Sequence, residues 1–316
     1  MKAIKHILII TFLKVSLLAD NSSLDISGYV NFNYIARLSD QSLINLPYRL
    51  LSLNIIKQNN NFSFLSTISI EHSMRRNTDY LSSTSPTDFE IDIRELYLQY
   101  FTNWGEIRLG KSIHTWGNTD ENSPVDVASP LDYYYLFSSG IEKKLATFSL
   151  STDIYINNFK LNIIISPLHN TNRIPSEEDD FPISLPVTPK VEEIRPLEDK
   201  PYEYGIDITS SYNFGQLSLS FFSGYDRLFN LTGVNVFGSG SSLSQPNIDI
   251  LYGYRKTNMM AIGGTLIHDG IILRSDLAYF KTLDENKNIQ QRSLNTPTFY
   301  DSLHYTYPLE EKANYF

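Results

Sequence analysis

The chain has 316 residues, a net charge of −9 and no cysteine, with 21 tyrosines and 18 phenylalanines. The lack of cysteine excludes a disulfide scaffold and a thiolate metal site. The acidic balance excludes nucleic acid as a partner, because phosphate binding draws on Lys and Arg clusters that are missing here.

Met1 to Ala19 reads as a secretory signal peptide. Lys2 and Lys5 charge its start, Ile7 to Leu13 form its apolar middle, and Ala19 closes a cleavage site before Asp20, with Leu17 larger than usual at the −3 position. The apolar run is broken by Lys14 and is too short for a membrane helix. Beyond it no window holds the roughly eighteen apolar residues such a helix needs, so any crossing must be made by strands.

Period-two apolar patterning predicts strands at roughly 25–38, 46–57, 61–73, 88–101, 106–114, 146–156, 159–166, 203–212, 217–227, 258–267 and 271–281. In the first, Val30, Phe32, Tyr34 and Ala36 share one face, and Asn31, Asn33 and Arg37 the other. Three hairpins test the assignment, because pairing across a turn must bring apolar residues to a common face. Leu98 should meet Leu109 across Thr102–Gly105, Ile156 should meet Phe159 across Asn157-Asn158, and Leu266 should meet Leu273 across Asp269-Gly270. All three registers are self-consistent. The stretch from Leu50 to Ile56 is ambiguous, with apolar residues at both parities.

The connections alternate, tight turns at one end and polar stretches of up to about thirty residues at the other. Strands of about ten residues with that alternation are the pattern of an outer-membrane barrel, whose short turns face the periplasm. The predicted fold is therefore all-β, an antiparallel transmembrane β-barrel over 20–316, with about twelve strands visible. The tyrosine excess suits aromatic girdles at the bilayer interfaces. A soluble β-sandwich would also alternate, but would not require such regular short and long loops.

The polar parity should line the lumen. It carries Arg37, Glu71, Glu95, Arg108, His114, Asp153, Lys160, Asp207, Asp226, Arg274 and Asp276. Lys111 conflicts, falling on the lipid side by strict alternation; a bulge near Gly110 would turn it inward, or it could snorkel. At the far end, Asn314, Lys312 and Glu310 alternate with the terminal Phe316, unlike a closing strand facing lipid. That pattern predicts a larger barrel of which this chain is a part.

The most distinctive stretch runs from Arg108 to Phe137, within a loop predicted to fold inward over 115–144. Ser123-Pro124-Val125-Asp126 is echoed by Ser129-Pro130-Leu131-Asp132. Ser at N-cap, Pro at the first helical position and Asp at the third predict two short helical turns, the second continuing toward Phe137. As a constriction, the loop would present Trp116 and the carboxylates of Asp120, Asp126 and Asp132 to passing solutes. Alternatively those aspartates cap helix ends and pack the loop on the wall, and the two arrangements are compatible.

The run Gly110-Lys111, Trp116-Gly117, Asp120, Pro124-x-Asp126 and Pro130-x-Asp132 resembles the hallmark of uncharacterised porin-like outer-membrane proteins of Gram-negative bacteria. The resemblance is sharp over about thirty residues. It is similar in style to porins and alginate-export-like channels, which implies passive or facilitated passage of small hydrophilic solutes, contact with outer-membrane lipid and lipopolysaccharide, and chains usually longer than this one.

Catalysis is not expected. Ser112 and His114 lie two apart on one face with Glu95 opposite Ser112, but polar residues in a hydrogen-bonded ladder give the same pattern. No phosphate-cradling glycine loop or zinc spacing occurs, and neither metal nor cofactor is expected. Glu177-Glu178-Asp179-Asp180 could bridge cations or simply be a solvated loop. Gly238-Ser239-Gly240-Ser241-Ser242 reads as a flexible tip. A homo-oligomer is compatible with the barrel, though no interface is marked. The rival from another class is a surface adhesin or structural barrel, with a plugged lumen and partner-binding outer loops.

Overall fold

The computed structural model describes residues 23–44, 46–73, 89–119, 122–138, 140–175, 194, 197, 201–239, 242–283, 302–308 and 312–315. The proposed leader, Asp120, the Glu177–Asp180 run and the tip residues Gly240 and Ser241 lie outside them. No helix among the described residues is long and apolar enough to cross a membrane.

The described residues form fifteen strands: β1 (Ser23–Val30), β2 (Tyr48–Asn59), β3 (Phe62–His72), β4 (Phe89–Thr102), β5 (Gly105–Ser112), β6 (Thr147–Ile156), β7 (Phe159–Ser166), β8 (Glu203–Tyr212), β9 (Gly215–Tyr225), β10 (Asn230–Ser239), β11 (Ser242–Gly253), β12 (Lys256–His268), β13 (Ile271–Leu283), β14 (Ser302–Pro308) and β15 (Lys312–Tyr315). Twelve make one antiparallel sheet in the order β1 to β9, β12, β13, β15; β10 pairs with β11 and β14 in a separate sheet. The large sheet is open, with β1 and β15 as its two edges.

Along the sheet, two-residue turns alternate with long connections. The tight turns are Asn60-Asn61, Asn103-Trp104, Asn157-Asn158, Asn213-Phe214 and Asp269-Gly270. Asn60, Asn157 and Asp269 take positive φ. This is the left-handed conformation that Asn and Asp tolerate and that matches strand twist in a tight hairpin. The three predicted registers are all present: Leu98 opposite Leu109, Ile156 opposite Phe159 and Leu266 opposite Leu273.

Register sorts the side chains. One face of the sheet carries Leu51, Leu53 and Ile55 of β2, which resolves the ambiguous strand, opposite Ile70, Ile68 and Ser66 of β3. It continues through Leu150, Ile165, Ile206, Leu219, Ile262 and Leu277. These are open rather than packed: Leu219 is 57%, Leu277 59% and Met260 60% exposed. The opposite face is Ser, Thr, Asn and charge, much of it buried.

Three expectations are corrected. β1 stops at Val30, so the residues to 38 do not extend it; Arg37 sits in a turn where Ala36 bridges Leu43 and its guanidinium donates to Ser42 Oγ at 3.0 Å. The β10–β11 hairpin, its partner β14 and the separate sheet were not foreseen. The bulge considered near Gly110 is not formed: pairing runs through Gly110 without a shift, so Lys111 stays on the apolar face that strict alternation gives it. The bulge lies in β4, at Arg94. There the exposed parity changes from Ile91 and Ile93 to Leu96 and Leu98. Lys111 sits at the end of the β4–β5 ladder and reaches Asp92 at 3.3 Å and the Ile93 carbonyl at 2.5 Å.

Candidate functional site

The described residues of 113–146 leave β5 and lie as a strap across the polar face. Trp116 anchors it: the indole is 6% exposed, donates from Nε1 to Asn162 Oδ1 at 2.9 Å and meets Phe222 edge-on. The ring rests on bare backbone at Gly205, where a β-carbon would overlap it. Val125 and Ala128 complete a small apolar cluster with Ile164, Phe222, Met259 and Ala278. On this otherwise polar face, those residues are the apolar landing site for the strap.

Asp276 on β13 is the second anchor. Its Oδ2 accepts from Asn118 N at 2.8 Å, Thr119 N at 2.9 Å, Thr119 Oγ1 at 3.0 Å and Ser123 Oγ at 2.7 Å, and its Oδ1 accepts from Asn118 Nδ2 at 3.0 Å. Gly263 leaves room beside it, where a β-carbon would collide with the carboxylate.

At the other end the strap is held by ion pairs. Glu142 takes Arg49 of β2 at 2.6 Å and Arg94 of β4 at 3.1 Å. Glu71 of β3 accepts from Tyr135 at 2.8 Å and from both Arg173 nitrogens, at 2.9 and 2.6 Å. Arg227 donates to the carbonyls of Val127 and Ala128.

These bonds also require curvature. In a flat sheet β4 and β13 would stand about 34 Å apart. Here Ser123 bonds Asp276, and three residues on Asp126 pairs with Lys144, whose carbonyl accepts from Arg94. The sheet therefore curls around the strap.

The two Ser-Pro-x-Asp repeats behave differently. In the first, Ser123 Oγ accepts from Val125 N at 3.1 Å and Asp126 N closes a turn onto the Ser123 carbonyl. In the second, the cap is Asp132, accepting from Tyr134 N at 3.2 Å to start a single turn at Tyr133–Tyr135; Ser129 instead accepts from His114 N at 2.7 Å. The expected helix from Ser129 is replaced because the Asp132 carboxylate can satisfy the turn itself. Nor are the carboxylates of Asp126 and Asp132 open to a solute. Asp132 is 1% exposed and pairs with Arg173 at 3.3 Å, while Asp126 pairs with Lys144 and accepts from Trp116 N.

Burial raises the Asp132 carboxyl above its ordinary range despite the Arg173 charge, and lowers the Lys144 ammonium despite Asp126. His114 is pushed down to about 4, by burial first and the Arg108 charge second. It is therefore a neutral imidazole at ordinary pH, hydrogen-bonded to Ser149 at 2.8 Å and near Ser112 at 3.3 Å. Glu95 does not orient it; that carboxylate accepts from Ile113 N at 2.9 Å.

Glu71, Glu95, Arg108, Asp153, Lys160, Asp207, Arg274 and Asp276 share the polar face by register. Arg108 pairs with Asp153 at 2.5 Å and Glu106 at 2.5 Å. Asp226 lies past the end of β9, bound by Thr257 and Asn230. The strap's partners Arg49, Arg94, Arg173, Arg227 and Asn162 were not foreseen. For Arg94 a signal existed, the change of apolar parity between Ile93 and Leu96.

No family model matches this chain, and neither does any curated protein. The strap divides the polar face into a cavity of about 590 Å³ beside Tyr29, Asn33 and Phe137, and one of about 570 Å³ reaching the Asn157-Asn158 turn.

Proposed function

We propose that the curled sheet closes as an outer-membrane β-barrel and passes small hydrophilic solutes along its polar interior, narrowed by the strap. One observation carries this reading: a mainly apolar face left open to the surroundings, with Ile91 at 72% and Leu273 at 62% exposed, on a sheet whose other face is polar. A soluble monomer rarely exposes so large an apolar surface, whereas a barrel in lipid must. Closure belongs to the proposal because unpaired strand edges are not tolerated in hydrocarbon. So do export by the N-terminal leader and contact with lipid and lipopolysaccharide. No catalytic step is needed.

The strap's position favours transport over the plugged, partner-binding alternative, since it lies on the polar face with space on both sides of it. Reconstitution in planar bilayers tests this. Stepwise conductance in KCl with mild cation preference is expected from the acidic balance. No conductance at any voltage would leave the plugged barrel as the better reading.

A further inference from the structure

The 570 Å³ cavity on the short-turn side of the strap contains four charged side chains, Arg108, Asp153, Lys160 and Asp207, beneath the ring of Trp116. Two of them are tightly paired: Arg108 bridges Asp153 and Glu106, each at 2.5 Å, and Asn162 donates to the Asp153 carboxylate at 2.6 Å. The other two are loosely committed. Lys160 reaches that already engaged carboxylate only at 3.5 Å, and its side chain is 45% exposed. Asp207 accepts from two hydroxyls, Ser220 at 2.5 Å and Thr209 at 3.0 Å, and has no cation partner among the described residues.

Register fixes how these two stand. Asn162 lies opposite Asp207 and Lys160 opposite Thr209, on neighbouring strands β7 and β8. Lys160 and Asp207 are therefore diagonal neighbours on one wall, about 7–8 Å apart. The cavity offers one half-exposed ammonium and one carboxylate with no cation partner among the described residues, side by side.

We infer that this cavity is a subsite for small zwitterions, solutes that carry both an ammonium and a carboxylate, as free amino acids and dipeptides do. Asp207 takes the solute ammonium and the flexible Lys160 arm closes on its carboxylate. An anion or a cation alone would satisfy one group and face repulsion from the other, and a neutral polyol would satisfy neither charge. The inference deepens the channel proposal and takes its biological sense from it.

The chain has two tryptophans, Trp104 and Trp116. A Trp104→Phe protein in detergent micelles therefore reports the cavity through Trp116 fluorescence. Diglycine should give a saturable change that erythritol at equal concentration does not. Lys160→Gln and Asp207→Asn should each weaken it at least tenfold, while Lys160→Arg, which keeps the charge, should stay within threefold. Equal responses to diglycine and erythritol, or undiminished binding in both charge-removing variants, overturn the subsite. KCl conductance of the same protein separates the two ideas. Conductance without diglycine binding defeats the subsite alone. Diglycine binding without conductance supports the subsite in a plugged barrel and defeats the channel.

Discussion

The two faces of β8 invert the arrangement of a soluble sheet. Tyr204, Ile206 and Ile208 stand 49%, 38% and 41% exposed, while Glu203 on the other face is 2% exposed and Gly205 lies under Trp116. Apolar groups stand open on one face and polar groups lie buried on the other. Such a sheet gains little by burying hydrocarbon in its own interior. Its polar face is instead held by pairing every charge it can, through a strap that contributes Glu142, Tyr135, Asn118, Thr119 and Ser123 as partners. The comparison shows that on this molecule polar does not mean wet. Where the strap presses on the sheet, charged groups are as buried as any core.

The sharpest way to break the comparison is to put the same charge on both faces of one strand. Ile208→Arg, on the apolar face, is expected to cost about 2–4 kcal/mol of folding stability in lipid vesicles if it lies near the bilayer centre. Its neighbour Thr209→Arg points the other way, beside Asp207, and should cost under about 1 kcal/mol. Urea titrations in vesicles compare them directly. Equal penalties would mean the apolar face does not meet lipid.

A second effect, up to about 3 kcal/mol, concerns the dry strap–sheet junction. His114 is held near 4, below its unfolded value of 6.5. The unfolded state therefore binds the extra proton first, and stability should fall as pH drops from about 6.5 toward 4. His114→Asn should flatten that slope in urea midpoints measured in micelles. An unchanged slope would place the sensitivity elsewhere.

The smallest effect tests the strap's hold on the far wall. Asp276→Ala removes the acceptor of five hydrogen bonds and should cost about 1–3 kcal/mol. The loosened strap at Asn118, Thr119 and Ser123 should raise single-channel conductance and its noise. A quiet channel of unaltered size would show that this anchor does not set the aperture.

How far the sequence could be read is visible in particular residues. The registers at Leu98–Leu109, Ile156–Phe159 and Leu266–Leu273 were legible because a two-residue turn leaves only one pairing that keeps apolar side chains together. Strict alternation places Lys111 on the apolar face, where it stands; the bulge near Gly110 is not formed, and the side chain instead reaches Asp92 and the Ile93 carbonyl. The phase change between Ile93 and Leu96 already placed the irregularity in β4. For the hairpin of β10 and β11 the sequence reading reaches only the tip, Gly238 to Ser242, as a flexible loop, and leaves its strands unassigned.

Strand, turn and facing are local properties, repeated every two residues, and the amino-acid order alone determines them. The strap's placement is not local. Trp116 finds Asn162 46 residues away and Asn118 finds Asp276 158 residues away. Which carboxylates end in ion pairs, as Asp132 and Asp126 do, and which stand without a cation among the described residues, as Asp207 does, depends on those distant meetings. Only the curled sheet decides them, because burial and charge pairing are set by neighbours in space rather than along the chain.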